Sequence, residues 1–282
     1  MKLALLFALA ILTGLQACGQ AKVQSDPKQA QEHYRLGIEF AQHSLFKNSL
    51  EELELAIRFD PTNAKYHRKK GLIHFAMGEL KAAGDFFKKS IELDPNEVQA
   101  YINLGMVHYT QKEAELAQAQ WEKAVALHDN DDDSKALNNL GNLLKVQGKL
   151  DEAIAHYQKA IDQSPQNTLL IDNLADAYRQ KGEFAKAEDL LKTSLSLNAN
   201  GMMAFYNLGL VYKDQNKALE AIEAFNQSLA INPGNIESYY QIATVLKANN
   251  DIASAKTVIA KALEANPENA KYKEFLKSLE SS

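Results

Sequence analysis

Apolar side chains between residues 30 and 269 fall on two alternating stripes, each spaced three, four and seven residues apart. That spacing places side chains on one face of an α-helix, so the chain predicts a succession of helix pairs, A then B. The pattern returns every 34 residues and rules the chain into units 30–63, 64–97, 98–133, 134–167, 168–201, 202–235 and 236–269, of which the third has 36. Within a unit, positions 4, 7, 8 and 11 form the stripe of helix A, and positions 20, 24, 27 and 28 that of helix B. Position 8 is small throughout: Gly37, Gly71, Gly105, Gly141, Ala175, Gly209 and Ala243. Position 20 is Ser49 and then Ala83, Ala117, Ala153, Ala187, Ala221 and Ala255, while position 24 carries Leu53, Phe87, Trp121, Tyr157, Leu191, Phe225 and Ile259. Two helices approach closely where the residues are small, and the larger ones fill the space beside the crossing. Gly78, Gly148 and Gly182 lie near the A–B junction, where a left-handed residue ends a helix. Pro61, Pro95, Pro165, Pro233 and Pro267 stand between units, where no interior hydrogen bond is lost. A last helix, Ala270 to Leu279, carries Tyr272, Phe275, Leu276 and Leu279 on one face and would cover the open end of the seventh unit.

In-phase repetition at this period, with these small and large residues, resembles the tetratricopeptide repeat family over residues 30–269. The resemblance implies an all-α fold: a right-handed superhelical solenoid of seven helix-turn-helix repeats with a C-terminal capping helix at 270–282. Departures are few. Lys70 and His74 replace apolar residues in the second unit, and Asp129 and Ala199 replace the terminal Pro in the third and fifth.

The N-terminus has a different character. Met1-Lys2 gives a short positive start, Leu3 to Leu15 is apolar apart from Thr13 and Gly14, and Leu15-Gln16-Ala17-Cys18 closes the run. The stretch is short for a bilayer span, and its small residues suit a processing site. It resembles a bacterial lipoprotein signal covering 1–17, which implies acylation of Cys18. Gly19 after the Cys implies, by the same resemblance, export to the outer membrane. A soluble secreted chain and an uncleaved apolar N-terminus with a buried Cys are the alternatives. Residues 18–29, which include Asp26-Pro27, read as the lipidated Cys and a polar tether.

In the resembled family helix A lines the inner wall. Position 6 there is Asn103, Asn139, Asn173 and Asn207 in four consecutive units. Each amide offers both a donor and an acceptor, so such a column suits the main chain of an extended peptide. Trimming of the inter-helix surface is the plainer role for the same residues. Arg68, Phe75, Met106, Tyr109, Asn142, Arg179 and Tyr206 are further candidates for that groove, the first half basic then apolar-aromatic and the middle polar. Packing between neighbouring units is the alternative for Phe75 and Met106. Lys135, Asn138 and Asn142 match part of a carboxylate clamp, but Asp172 and Asp176 beside them are expected to repel an acidic peptide end.

Charge and composition narrow the chemistry. A net charge of -5 and a pI near 5.8 give no overall attraction to nucleic acid. A single Cys excludes an internal disulfide or a thiolate-rich zinc site. The run Asp129 to Asp133 alternates carboxylates, yet it lacks the Gly and Glu of a calcium loop and reads as a solvated connection ending in a helix cap. No nucleophile motif, phosphate loop or dinucleotide fingerprint occurs, so neither an enzyme nor a cofactor or metal site is expected. The reading that follows is a lipid-anchored scaffold on the periplasmic face of the outer membrane, holding a segment of an envelope protein. By architecture it resembles the type IV pilus pilotins, lipoproteins that assist the secretin, so a secretin or pilus component is a candidate partner. A structural subunit using its convex face, or an adaptor for peptidoglycan enzymes, is the alternative.

Overall fold

The computed structural model of the chain describes residues 25–127 and 133–280. It comprises two compact units, Met1–Gln120 and Trp121–Ser282. The first holds α1 (Pro27–Gln42), α2 (Phe46–Phe59), α3 (Ala64–Ala76), α4 (Leu80–Leu93) and α5 (Val98–Thr110). α6 (Ala114–Ala126) runs across the limit. The second unit holds α7 (Asp133–Val146), α8 (Leu150–Gln163), α9 (Thr168–Gln180), α10 (Phe184–Leu197), α11 (Met202–Asp214), α12 (Ala218–Ile231), α13 (Ile236–Ala248), α14 (Ile252–Ala265) and α15 (Ala270–Glu280). Odd-numbered helices up to α13 are the A helices, even-numbered ones are the B helices, and α15 packs on α14 as the cap. Cys18 and the run 129–132 lie outside the described residues.

Local chemistry sets the boundaries. α1 begins at Pro27, ahead of the ruled start at residue 30, because Asp26 Oδ1 accepts from the Lys28 and Gln29 amides at 3.0 and 3.1 Å. Proline at the first helical position forgoes only an amide that would lack a partner anyway. Residues 27–29, expected in the tether, therefore belong to the first helix. At every A–B junction one residue is left-handed, at position 15 of its unit. Gly78, Gly148 and Gly182 take it at φ 78°, 75° and 82°, and Ser44, Lys112, Asn216 and Asn250 take it at 59–65°. The amide that follows then reaches back five residues, as in Glu79 N to His74 O at 2.9 Å, and closes the helix end. The prolines between units sit in the turns two residues beyond α2, α4, α8, α12 and α14.

Three helix pairs close through the missing side chain at position 8. A Cβ built on Gly71 would lie 2.7 Å from Phe87, one on Gly141 2.6 Å from Tyr157, and one on Gly209 2.6 Å from Phe225. All three aromatic rings are fully buried, so the ring occupies the space a methyl group would need. Where position 8 is alanine, in Ala175 and Ala243, position 24 is the smaller Leu191 or Ile259, again fully buried. Ser49 at position 20 uses the same close approach differently, donating to the Gly37 carbonyl at 2.7 Å. The Tyr157 hydroxyl, carried into the interior, donates to Asn142 Oδ1 at 2.7 Å, which satisfies it as a buried phenol requires. Burial raises the pKa of that phenol, with the Asp176 charge adding to it.

These contacts predict opposite outcomes for two Gly→Ala substitutions. Gly141→Ala overpacks against Tyr157 and lowers stability by about 1–2 kcal/mol, even after the gain in helix propensity. Gly84→Ala, in α4, places its methyl 3.7 Å from Val107 Cγ1 in ordinary contact and is neutral or stabilising by up to about 1 kcal/mol. Urea unfolding followed by circular dichroism compares the two with the parent chain.

Candidate functional site

Successive A helices touch within each unit, and the two units are furnished differently. In the first, Arg68 on α3 is ion-paired with Glu97 at 2.9 Å, with only 13% and 9% of the two side chains exposed. Its charge is therefore spent inside the protein. Phe75 and Leu72 pack on the cluster Ala83, Phe87, Leu104 and Val107, so Phe75 is half core and half surface. On α5, Met106 is half-buried and Tyr109 is 40% exposed. Asn103 is half-buried, and its amide nitrogen is enclosed without a hydrogen-bond acceptor among the described residues. That nitrogen is not presented to a ligand.

In the second unit the Asn column is largely engaged in the protein itself. Asn173 Nδ2 on α9 donates to Asn138 Oδ1 on α7 at 2.8 Å. Asn207 on α11 is buried at 8% exposure, while Asn139 is half-buried. Asn142 accepts the Tyr157 hydroxyl, so its carbonyl also serves the fold. Tyr206 is half-buried with its ring 5.7 Å from Phe225. Its pKa is pushed up to about 12, chiefly by burial and then by the Glu237 charge.

The charged groups are arranged more tellingly. Asp176 on α9 accepts from Lys145 of α7 at 2.7 Å and from Arg179 at 2.9 Å. Arg179 in turn reaches Asp214 at the end of α11. Burial alone would raise the Asp176 pKa, but Lys145 and Arg179 outweigh it and hold it below the usual carboxylate value. Asp172, at 7% exposure, is pushed the other way by burial, against the effect of the Ser194 hydroxyl. The repulsion of an acidic ligand expected from these two aspartates is therefore weakened. One is neutralised by two cations, and the other is sunk in the interior with its charged form disfavoured.

Lys145 and Arg179 belong to a longer series. Position 12 of the last four repeats is Lys145, Arg179, Lys213 and Lys247, and each side chain reaches the next A helix or the cap. Lys213 Nζ on α11 donates to Gln241 Oε1 on α13 at 2.7 Å, and Lys247 Nζ on α13 to Ser278 Oγ on α15 at 2.8 Å. The basic residues at this position were legible in the sequence, but their acceptors were not. Beyond them Glu237 accepts from Lys271 at 2.8 Å and from the Tyr272 hydroxyl at 3.1 Å, which ties the cap to α13. Among the described residues no cluster of three or more metal-ligating side chains occurs.

Models of the tetratricopeptide repeat match residues 64–97, 86–126, 134–167, 166–233 and 212–279. The first and third of these segments coincide with the second and fourth ruled units. No curated protein sequence matches the chain. Among solved structures it is similar to PilF of Pseudomonas aeruginosa, at 22% identity and a TM-score of 0.63 over 77% of this chain and 97% of that one. It is also similar to PilW, a type IV pilus biogenesis factor, at 19% identity and a TM-score of 0.67 over 78% of this chain and 100% of that one. A third similar structure, from the Cut9–Hcn1 hetero-tetramer of the APC/C, has 19% identity and a TM-score of 0.69 over 89% of this chain. The chain spans only 46% of the length of that protein. At such identities the likeness concerns the fold. With the recurring helix pairs and their small-residue crossings, these matches place the chain in the tetratricopeptide repeat family.

Proposed function

We propose that this protein is a non-enzymatic scaffold that holds an extended segment of an envelope protein and is fixed to the outer membrane through acylated Cys18. The observation that carries the binding half is the braced row of side chains on the A helices of the second unit. Asn138 with Asn173, Lys145 with Asp176, Arg179 with Asp214 and Lys213 with Gln241 are each joined across neighbouring helices. Side chains held by their neighbours lose little freedom when a ligand arrives, which favours binding. An extended peptide is the natural occupant of such a row, because several helices contribute similar groups at a regular interval. Tetratricopeptide repeats bind protein or peptide partners, and the similarity to PilF and PilW favours a secretin or pilus component over other envelope partners.

The anchoring half rests on the sequence of the N-terminus. Among the described residues no helix is long and apolar enough to cross a membrane. Attachment by several acyl chains would be durable where one chain is reversible. It would also concentrate a captured partner at its site of insertion without adding contacts.

Two experiments test the two halves separately. A photo-crosslinking residue at Asn139 or Asn173 should give an adduct with an envelope protein in intact cells, and the same residue at the exposed Lys159 of α8 should not. Adducts from position 159 alone would favour the convex face instead. The double variant Asn139→Ala/Asn173→Ala should weaken capture of that partner by at least about tenfold with its helical circular dichroism unchanged. For the anchor, Cys18→Ser should move the protein from the detergent phase to the aqueous phase in phase partition and slow assembly of the partner at the membrane. Full membrane retention by that variant would contradict the lipid anchor.

A further inference from the structure

The series at position 12 is uniform in the cation and changes in what the cation meets. Lys145 and Arg179 each reach a carboxylate on the next A helix, Asp176 and Asp214. The next two reach neutral groups, the Gln241 carbonyl and the Ser278 hydroxyl. Neither Lys213 nor Lys247 is ion-paired with a carboxylate among the described residues. The acids nearest Lys213 are committed elsewhere, Asp214 to Arg179 and Glu237 to Lys271 and Tyr272. Both lysines are half-buried, and a half-buried ammonium without a counter-ion is costly. In keeping with this, burial lowers the Lys213 pKa more than the nearby acids restore it. Lys247 lies 5.4 Å from the Phe275 ring centroid, a contact that attracts a cation without neutralising it. The second unit thus carries two uncompensated cations on successive A helices, in a chain whose net charge is -5.

We propose that Lys213 and Lys247 receive the carboxylates of an acidic stretch in the bound segment, which supplies counter-ions as Asp176 and Asp214 do for Lys145 and Arg179 two repeats earlier. The inference rests on the peptide-binding reading of this face and adds the chemistry of the partner. Charge complementarity selects the occupant. A carboxylate can approach either ammonium while Gln241 and Ser278 stay in place, because an ammonium has three donors. A basic or neutral segment would leave both charges unmatched.

The test uses the purified full chain in detergent and two fluorescent decamers, one of glutamate and one of glutamine, with binding read by anisotropy. The glutamate decamer should bind at least about tenfold more tightly than the glutamine one, with the advantage falling as salt rises. Lys213→Gln and Lys247→Gln should each weaken glutamate binding several-fold, and the pair together by at least about tenfold. Lys159→Gln removes the same charge from the exposed face of α8 and should leave binding within about twofold. Lys213→Arg should retain most of the affinity, which separates charge recognition from damage to the fold. Equal binding of the two decamers, no binding of the glutamate decamer at millimolar concentration, or a loss in the lysine variants no greater than in Lys159→Gln overturns the proposal. Those results would leave cross-linking from Asn139 or Asn173 unaffected, so failure of the acidic-ligand inference is distinguishable from failure of the peptide-binding reading.

Discussion

The match in size between the two residues that meet where a helix pair crosses is the constraint on which the rest depends. Phe87, Tyr157 and Phe225 press against Gly71, Gly141 and Gly209 at distances that leave no room for a Cβ. Dispersion and burial reward the contact, because a fully enclosed aromatic ring removes a large apolar area from water. The two positions are matched in size. Glycine accompanies an aromatic ring in those repeats, alanine accompanies Leu191 or Ile259, and Gly37 has Leu53 Cγ 3.0 Å from where its Cβ would be. A repeat can thus change the occupant of one site if the other changes with it, and the helix pair keeps its spacing.

Constant spacing is what makes side chains at equivalent positions useful together. In the second unit, position 12 of one repeat faces the next A helix or the cap, and each of its four charges finds a neighbour within reach. The first two members of the series spend that reach on Asp176 and Asp214, which braces the unit. The last two spend it on neutral groups, which leaves charge available. The same geometry therefore yields a structural brace in one part of the unit and a recognition element in another, and the difference lies only in the acceptors.

Much of this was legible in the sequence. The helix pairs, the crossings at positions 8 and 20, the prolines after the B helices and the capping face of α15 all follow from residue size and periodicity, which are properties of the chain itself. The start of the first helix was less so, since Asp26-Pro27 reads equally as a turn and as a cap with a proline at the first helical position. Three of the left-handed junction residues were legible as glycines. Ser44, Lys112, Asn216 and Asn250 adopt the same conformation because the helix-ending hydrogen bonds demand it, and a propensity argument does not reveal that. At the candidate site the residue types were legible without their partners. Asn173 is turned toward Asn138, Arg68 toward Glu97, and Asp176 toward Lys145, choices made by side-chain rotamers across helices 30 or so residues apart in the chain. The Asn column consequently offers less free hydrogen-bonding capacity than its composition implies, and the acidic pair on α9 repels less.

The size match at the crossing is tested most directly in the fifth repeat, where nature has placed alanine opposite leucine. Ala175 and Leu191 are both fully buried in one cluster, so their exchange for the glycine–aromatic combination probes the contact alone. The measurement is the urea midpoint of Leu191→Phe with and without Ala175→Gly. The single substitution should lower the midpoint, and adding glycine should recover most of the loss despite its unfavourable helix propensity. A Leu191→Phe variant as stable as the parent, or one that glycine weakens further, would contradict the account.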